Sequence, residues 1–394
     1  PGIVTQREAM DWCGENRVVL EYVIYNPEYA KGFYGNMLTN GKALQQEEEE
    51  PKVINSYCIV ITKDKMTLVP LDSEYDYSDG VDELRQVILP KQKKGFRPKP
   101  KTAVIEEDTG ELSRCRGILY EKLIEPVLGC IPVGTTDIVI VPDGKLSLCP
   151  FEVLGKGVEA LGNSYNISFS PSISVSVTKE KNAASSFTLL GIGNPVYEAE
   201  EEDGQDRSRG SESFGEEVDL SMHSVIEYNT PSKYYSGLLW KNIPGTGDEM
   251  HYLQDNVFSK QSSVLIEGFD ANEKNIKQLS AEGTLASYPY IIFACHGKFI
   301  TDEPSMSAVL FSEISGAELN SKEDGYLTTV ELATLNMKAS FLNLSACETG
   351  MSSVKRGDGM TGLSRSCMIA GAEHVGVTLW EVSDAVTVKF QTSL

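Results

Sequence analysis

Two short apolar runs, each ending at a chemically reactive side chain, restrict the possible folds of this chain more than any other feature. The first run covers 288–294 and leads to His296, and the second covers 339–346 and leads directly to Cys347. Both runs are rich in aromatic and branched residues and are followed by glycine, which is typical of parallel strands buried on both faces. The sequence therefore predicts an α/β fold with a mainly parallel sheet.

The ends of these two strands predict a shared site for His296 and Cys347. In open α/β sheets, ligands bind in the crevice beyond the carboxyl ends of the strands. A free thiol is mostly protonated near neutral pH because its pKa is about 8.5, and a neighbouring imidazole raises the thiolate fraction. The two residues are 51 positions apart, close to the interval of roughly 50 residues in caspase-type peptidases. They are therefore a candidate nucleophile and its general base.

Two other interpretations of these residues stay open on spacing alone. Cys347 can be a small buried apolar residue, a common fate of free cysteine, while His296 only bonds a carbonyl at a strand end. Alternatively, Cys295, His296 and Cys347 can bind a metal ion. That site would lack a further histidine nearby and a set of carboxylates, so the sequence predicts no metal.

Four motifs surround the two strand ends. They are Ala-Cys-His-Gly at 294–297, Leu-Ser-Ala-Cys-Glu-Thr-Gly at 344–350, Gly-Asp-Gly-Met-Thr-Gly-Leu at 357–363 and Gly-Val-Thr-Leu-Trp-Glu-Val-Ser-Asp at 376–384. Three further segments lie upstream, at 139–152, 190–195 and 243–249. Together these motifs closely resemble the CHAT family of caspase-like cysteine peptidases of clan CD, which is related to separase. Members of this family are often fused to tetratricopeptide repeats.

The resemblance implies a caspase-like fold of three layers, with a mainly parallel sheet between two layers of helices. It also implies two domains. The expected division is an N-terminal pseudo-caspase-like α/β domain over 1–180, without an active site, and a catalytic CHAT domain over 186–394. The first 185 residues contain no histidine, so a His–Cys dyad cannot form within that half.

The resemblance also implies roles for individual residues. Cys347 is the implied nucleophile and His296 the implied base, and the backbone amides of Gly297 and Cys347 are the implied oxyanion hole. The loop at 380–384 resembles the separase segment in which a tryptophan and two acids precede a helix. Separases cleave after arginine.

A carboxylate in that loop would pair with an arginine side chain through two charge-assisted hydrogen bonds. Asp384 is the first candidate for this carboxylate and Glu381 the second. The alternative is that Asp384 caps a helix that begins at Ala385.

The sequence thus predicts a cysteine endopeptidase that cleaves protein substrates after arginine or, less well, lysine. The alternative is a catalytically silent CHAT module that serves as an interaction partner or scaffold. The tail of a helix at 5–14 opens the chain, and helical repeats often precede the domain in this family. We therefore expect a regulatory module, either upstream or as a separate effector.

Charge and composition exclude several other classes of partner. A formal net charge of -22 argues against a nucleic-acid surface, because phosphate binding requires a basic patch. The basic stretch at 91–101 contains two prolines and a glycine, which favours a solvated loop. No apolar run is long enough for a membrane span. Another segment, at 197–222, is acidic and almost free of apolar residues, which predicts a mobile surface loop.

Cysteine and glycine patterns restrict the compartment and the cofactors. The eight cysteines show no CxxC pair, and several fall in apolar strands, which favours reduced thiols in a cytoplasmic protein. The run Gly-Ile-Gly-Asn-Pro at 191–195 lacks the third glycine and the following helix of a dinucleotide site. The sequence therefore predicts no cofactor.

Overall fold

The computed structural model describes residues 4–25, 56–89, 110–178, 186–197, 240–300, 303–312, 323–346 and 362–379. The predicted loops at 91–101 and 198–222 lie outside these ranges. Contacts divide the chain into two compact units, which are Pro1–Lys181 with Gly350–Thr361 and Asn182–Thr349 with Gly362–Leu394. Each unit combines helices with a sheet that contains parallel strands, which confirms the predicted α/β class.

The first unit contains a five-stranded sheet in the order β3-β2-β1-β4-β5. Its strands are Arg17–Val23 (β1), Tyr57–Ile61 (β2), Met66–Pro70 (β3), Asp137–Val141 (β4) and Asn166–Phe169 (β5). Its helices are Gln6–Cys13 (α1), Tyr77–Ile88 (α2), Gly110–Leu123 (α3), Glu125–Leu128 (α4) and Ile173–Thr178 (α5). Strands β1, β4 and β5 are parallel, and β2 and β3 form an antiparallel hairpin beside them.

Strand β1 is buried on both faces of this sheet. Val18 and Leu20 face a large apolar cluster that includes residues of α2 and α3. Val19 faces the opposite side, where it packs in a smaller cluster with Ala9 and Cys13 of α1. Helices therefore cover both faces of the sheet at β1. This is expected for a strand whose residues do not alternate between apolar and polar.

Within its described residues, the second unit forms two sheets. Its strands are Leu189–Gly193 (β6), Ser263–Ile266 (β7), Tyr290–Ala294 (β8), His296–Lys298 (β9), Ala308–Leu310 (β10), Tyr326–Thr328 (β11), Phe341–Ser345 (β12) and His374–Gly376 (β13). Its helices are Gly245–Asn256 (α6), Glu273–Ala281 (α7), Thr329–Leu332 (α8) and Leu363–Ile369 (α9). The main sheet has the order β13-β12-β8-β6-β7 and is parallel throughout, whereas β11-β10-β9 is antiparallel.

The main sheet of the second unit lies between two apolar layers. Ile291 and Phe293 of β8 face a cluster that includes residues of α7 and α9. Ile292 and Ala294 face the other side, where Met250 of α6 packs against them. This arrangement confirms the three-layer architecture predicted for the second half of the chain.

Strand β6 contains the glycine run that superficially resembles a nucleotide loop. A Cβ atom on Gly193 would lie 2.5 Å from the carbonyl oxygen of Ala294, and one on Gly191 would lie 2.9 Å from the sulfur of Met250. Both distances are shorter than real Cβ contacts, so each glycine permits a close approach between β6 and its neighbours. Packing therefore explains the glycines.

A buried acid connects α7 to the antiparallel sheet. Oε2 of Glu273 accepts a hydrogen bond from the backbone N–H of Gly325 at 3.0 Å, and its Oε1 lies 2.5 Å from Nζ of Lys277. The same Nζ lies 2.9 Å from Oε1 of Glu331. Burial raises the pKa of Glu273 to about 7, and the charges of Glu331 and Lys277 act in opposite directions on it.

This raised pKa predicts how stability depends on pH. The ordinary carboxyl pKa is 4.5, so the folded state binds the proton more tightly than the unfolded state between pH 4.5 and about 7. The Glu273 contribution to the free energy of unfolding therefore falls as pH rises through this window, by on the order of 3 kcal/mol. Urea denaturation at several pH values should show Glu273→Gln gaining stability relative to wild type as pH rises. Glu282→Gln, at an exposed carboxyl beside the same helix, should show no such gain, and parallel curves for both variants would contradict the assignment.

Candidate active site

His296 lies where the chain passes from one sheet to the other. Strand β8 ends at Ala294 and β9 begins at His296, so only Cys295 separates the parallel sheet from the antiparallel one. His296 is paired with Leu310 of β10. The N–H of Cys295 still donates to the carbonyl of Ser345, at 3.3 Å. The imidazole is therefore carried at the carboxyl edge of the parallel sheet, as predicted.

A backbone carbonyl determines the tautomer of the His296 ring. Nε2 lies 2.8 Å from the carbonyl oxygen of Lys241. A carbonyl oxygen only accepts hydrogen bonds, so Nε2 carries the proton and Nδ1 is the basic nitrogen of the neutral ring. A main-chain group therefore orients this histidine.

Two aromatic rings flank the imidazole. The ring centroids of Tyr197 and Trp240 lie 4.9 and 5.2 Å from that of His296. Both rings also pack against the buried residues Ala308 and Leu310 of β10. Sequence reasoning missed both aromatic residues, although they stand at the two ends of the polar segment 198–239.

The hydroxyl of Tyr197 connects β9 to β10. It accepts a hydrogen bond from the backbone N–H of His296 at 3.0 Å and donates one to the carbonyl of Leu310 at 2.7 Å. Burial raises the pKa of this hydroxyl well above its usual range. The group therefore stays neutral and keeps its donor at physiological pH.

Three contacts hold the end of β12, the strand that leads to Cys347. The hydroxyl of Ser345 donates to the fully buried carboxyl of Glu249, with a distance of 2.7 Å to Oε2. The hydroxyl of Thr378 donates to the carbonyl of Ala346, also at 2.7 Å. Together with the Cys295 N–H bond to Ser345, these contacts come from α6, from the residue that follows β8 and from the segment after β13. The residue before Cys347 is therefore held in a defined position.

The remaining predicted site residues divide into two groups. Gly297 is buried in β9 opposite Val309. Cys347, Glu381 and Asp384 lie outside the described residues, as does the predicted helix after position 384. Of the predicted site residues, the structure therefore describes His296 and Gly297.

Within the described part of the chain, the cysteines form no disulfide bond. Cys295 is 2% exposed and packs in the core on the α7 side of the sheet. Burial raises the pKa of five thiols, namely Cys13, Cys58, Cys115, Cys149 and Cys367. A raised pKa lowers the thiolate fraction, so these residues are poor nucleophiles.

The other described histidines are paired with carboxylates. Nε2 of His251, on α6, lies 3.0 Å from Oε2 of Glu267, and Nε2 of His374, the first residue of β13, lies 3.7 Å from Oε1 of Glu373. Within the described ranges, His, Cys, Asp and Glu form no group of three that could hold a metal ion. Over the same part of the chain, no helix is both long enough and apolar enough to span a membrane.

Comparison with known proteins places the chain in a family. The family model described as the CHAT domain matches residues 114–394, so the match begins within α3 of the first unit and covers the whole second unit. No curated protein matches the chain. CHAT domains are caspase-like and comprise peptidase-related and scaffold modules. The match covers most of the chain, and the chain therefore belongs to the CHAT domain family.

Proposed function

We propose that this chain is a cysteine endopeptidase in which Cys347 is the nucleophile and His296 the general base. The observation that carries the proposal is the hydrogen bond between His296 Nε2 and the Lys241 carbonyl, at 2.8 Å. It leaves Nδ1 as the nitrogen that can accept a proton.

The register of the parallel sheet supports the pairing of the two residues. Ala294 of β8 lies opposite Ser345 of β12. His296 and Cys347 each follow these aligned positions by two residues, and side chains two residues apart in a strand point to the same face. Both candidates therefore follow paired positions of adjacent strands at the same distance along the chain, which supports their assignment to one site.

The proposed reaction uses the imidazole first as a base and then as an acid. His296 Nδ1 takes the proton of the Cys347 thiol, and the thiolate sulfur forms a bond to the carbonyl carbon of the substrate. The C–N bond then breaks, and the imidazolium gives its proton to the leaving amine. Water, activated by the same imidazole, hydrolyses the thioester and releases Cys347.

The backbone amide of Gly297 is suited to the oxyanion hole. Alternate residues of an antiparallel pair direct their N–H groups to opposite sides. The N–H of His296 is directed towards β10 through the Tyr197 hydroxyl, so the next N–H, that of Gly297, points away from β10. With the amide of Cys347, it would stabilise the oxyanion by roughly 3 kcal/mol per donor.

The substrate preference that we propose is arginine, or less well lysine, before the cleaved bond. Its basis is the resemblance of 380–384 to the separase segment, with Asp384 as the first candidate for the recognising carboxylate and Glu381 as the second. A carboxylate and a guanidinium have opposite charges, and both are planar, so they can form two parallel hydrogen bonds.

The first half of the chain and the cellular context complete the proposal. We assign 1–180 to a pseudo-caspase-like domain without an active site, and we expect a helical-repeat module or a separate effector to regulate the enzyme. A thiol nucleophile has to remain reduced, and the scattered cysteines show no CxxC pair, so we propose a cytoplasmic location.

Labelling with a peptide that carries an alkylating group tests the proposed dyad. Cys347 should react before the other cysteines, because a neighbouring imidazole increases its thiolate fraction whereas burial suppresses that of five others. Mass spectrometry of the digested protein identifies the labelled residue. His296→Ala should remove the selectivity, whereas His251→Ala should preserve it. Preferential labelling of Cys295 or Cys367 in wild type would show that the nucleophile is wrongly assigned.

A further inference from the structure

The residues on either side of the segment 198–239 meet at His296. Tyr197, the residue before this segment, bonds the backbone N–H of His296 through its hydroxyl. Lys241, just after the segment, bonds the imidazole of His296 through its carbonyl. Tyr197 therefore holds the backbone of His296, and Lys241 holds its ring.

Asn242 connects these two ends directly. Its Oδ1 accepts a hydrogen bond from the backbone N–H of Tyr197 at 2.8 Å. The bonds thus form a closed circuit from the His296 ring to Lys241, along the chain to Asn242, across to Tyr197, and back to the His296 backbone. We call these four residues the histidine clasp.

We propose that Tyr197 and Asn242 are positioning residues, which keep His296 in the Nε2–H tautomer by holding the Lys241 carbonyl against Nε2. This inference rests on the proposed function, in which Nδ1 of His296 is the base. Neither residue touches the substrate in this scheme, and both act through the position of the Lys241 carbonyl relative to the ring.

The physical basis is the weakness of a single hydrogen bond at this place. Lys241 and Asn242 are exposed and His296 is half-buried, so water competes for both the carbonyl and the ring nitrogen. The two tautomers of a free imidazole are close in energy, and the bond made by one nitrogen decides which is populated. In the clasp, Tyr197 restrains the Lys241 carbonyl through its bond to the neighbouring Asn242. The Tyr197 hydroxyl is itself buried against β10 and bonded to the carbonyl of Leu310.

The tautomer is measured directly by nitrogen NMR of the imidazole side chains. The chain has only four histidines, and His296→Gln identifies the signals of His296. Wild type should show His296 protonated at Nε2 and unprotonated at Nδ1. Tyr197→Phe, which keeps the ring and removes the hydroxyl, should lower the ratio of the two tautomers roughly tenfold, the factor expected from loss of about one net hydrogen bond. Tyr290→Phe, in β8, is the matched control and should leave the ratio unchanged.

Asn242→Ala provides a second variant at an exposed position, where the fold is expected to tolerate the change. It should shift the tautomer ratio in the same direction as Tyr197→Phe. In a cleavage assay, both variants should lower kcat and leave KM nearly unchanged, because substrate contacts remain. If Asn242→Ala and a folded Tyr197→Phe both keep the wild-type tautomer ratio, the two residues serve packing only and the inference is overturned.

Failure of the clasp and failure of the peptidase proposal give different results. A tautomer shift in a protein that cleaves no peptide would support the role of the clasp and contradict the peptidase proposal. Normal cleavage with an unchanged tautomer ratio in both variants would support the peptidase proposal and contradict the role of the clasp.

Discussion

Cys347→Ala is expected to lower kcat/KM for peptide cleavage by roughly 10⁴-fold or more, because the thiolate forms the covalent bond to the substrate and no other group can replace it. The measurement is cleavage of a tagged peptide library, read by mass spectrometry. Cys130→Ala is the control, since this thiol forms no disulfide, is only partly buried and lies in the first unit. The control should retain wild-type activity.

The same assay distinguishes an enzyme from a silent member of the family. A CHAT interaction or scaffold module would leave wild type and Cys347→Ala equally inactive. If both remain inactive over the whole peptide library, the peptidase proposal is wrong and the interaction module is favoured. Cleavage by wild type alone would establish the enzyme.

Asp384→Asn is expected to lower cleavage after arginine by roughly 100-fold, the factor that corresponds to loss of a charge-assisted hydrogen-bonded pair. Asparagine caps a helix about as well as aspartate, so the free energy of unfolding should change little. Rates are measured on peptides that differ only in the residue before the cleaved bond, and stability is measured by urea denaturation.

Glu381→Gln is the comparison that ranks the two candidate acids. The larger loss of arginine cleavage identifies the carboxylate that contacts the substrate. If Asp384→Asn keeps the wild-type preference, Asp384 serves as a helix cap and the ranking is wrong. A wild-type enzyme that prefers aspartate before the cleaved bond would contradict the proposed pocket altogether.

The elements that carry the site could be predicted because their signals are local. A strand buried on both faces reads as a short continuous apolar run, and 288–294 and 339–346 correspond to β8 and β12. The hairpin of β2 and β3 has an equally local signal, namely two runs of strand-forming residues separated by a short polar turn. The CHAT motifs are also local in sequence, and the family match confirms them.

The sequence by itself determined the fold class, the family and the place of His296 at a strand end. Only the tertiary structure decided how that histidine is held, because its partners are 55 and 99 residues away in the chain. One partner is the backbone carbonyl of Lys241, and any residue carries such a carbonyl, so no sequence pattern could reveal it. The contact between Glu249 and Ser345 spans 96 residues. Such pairs form when the sheet and its helices pack together, since neither side chain has a local partner that predicts the bond.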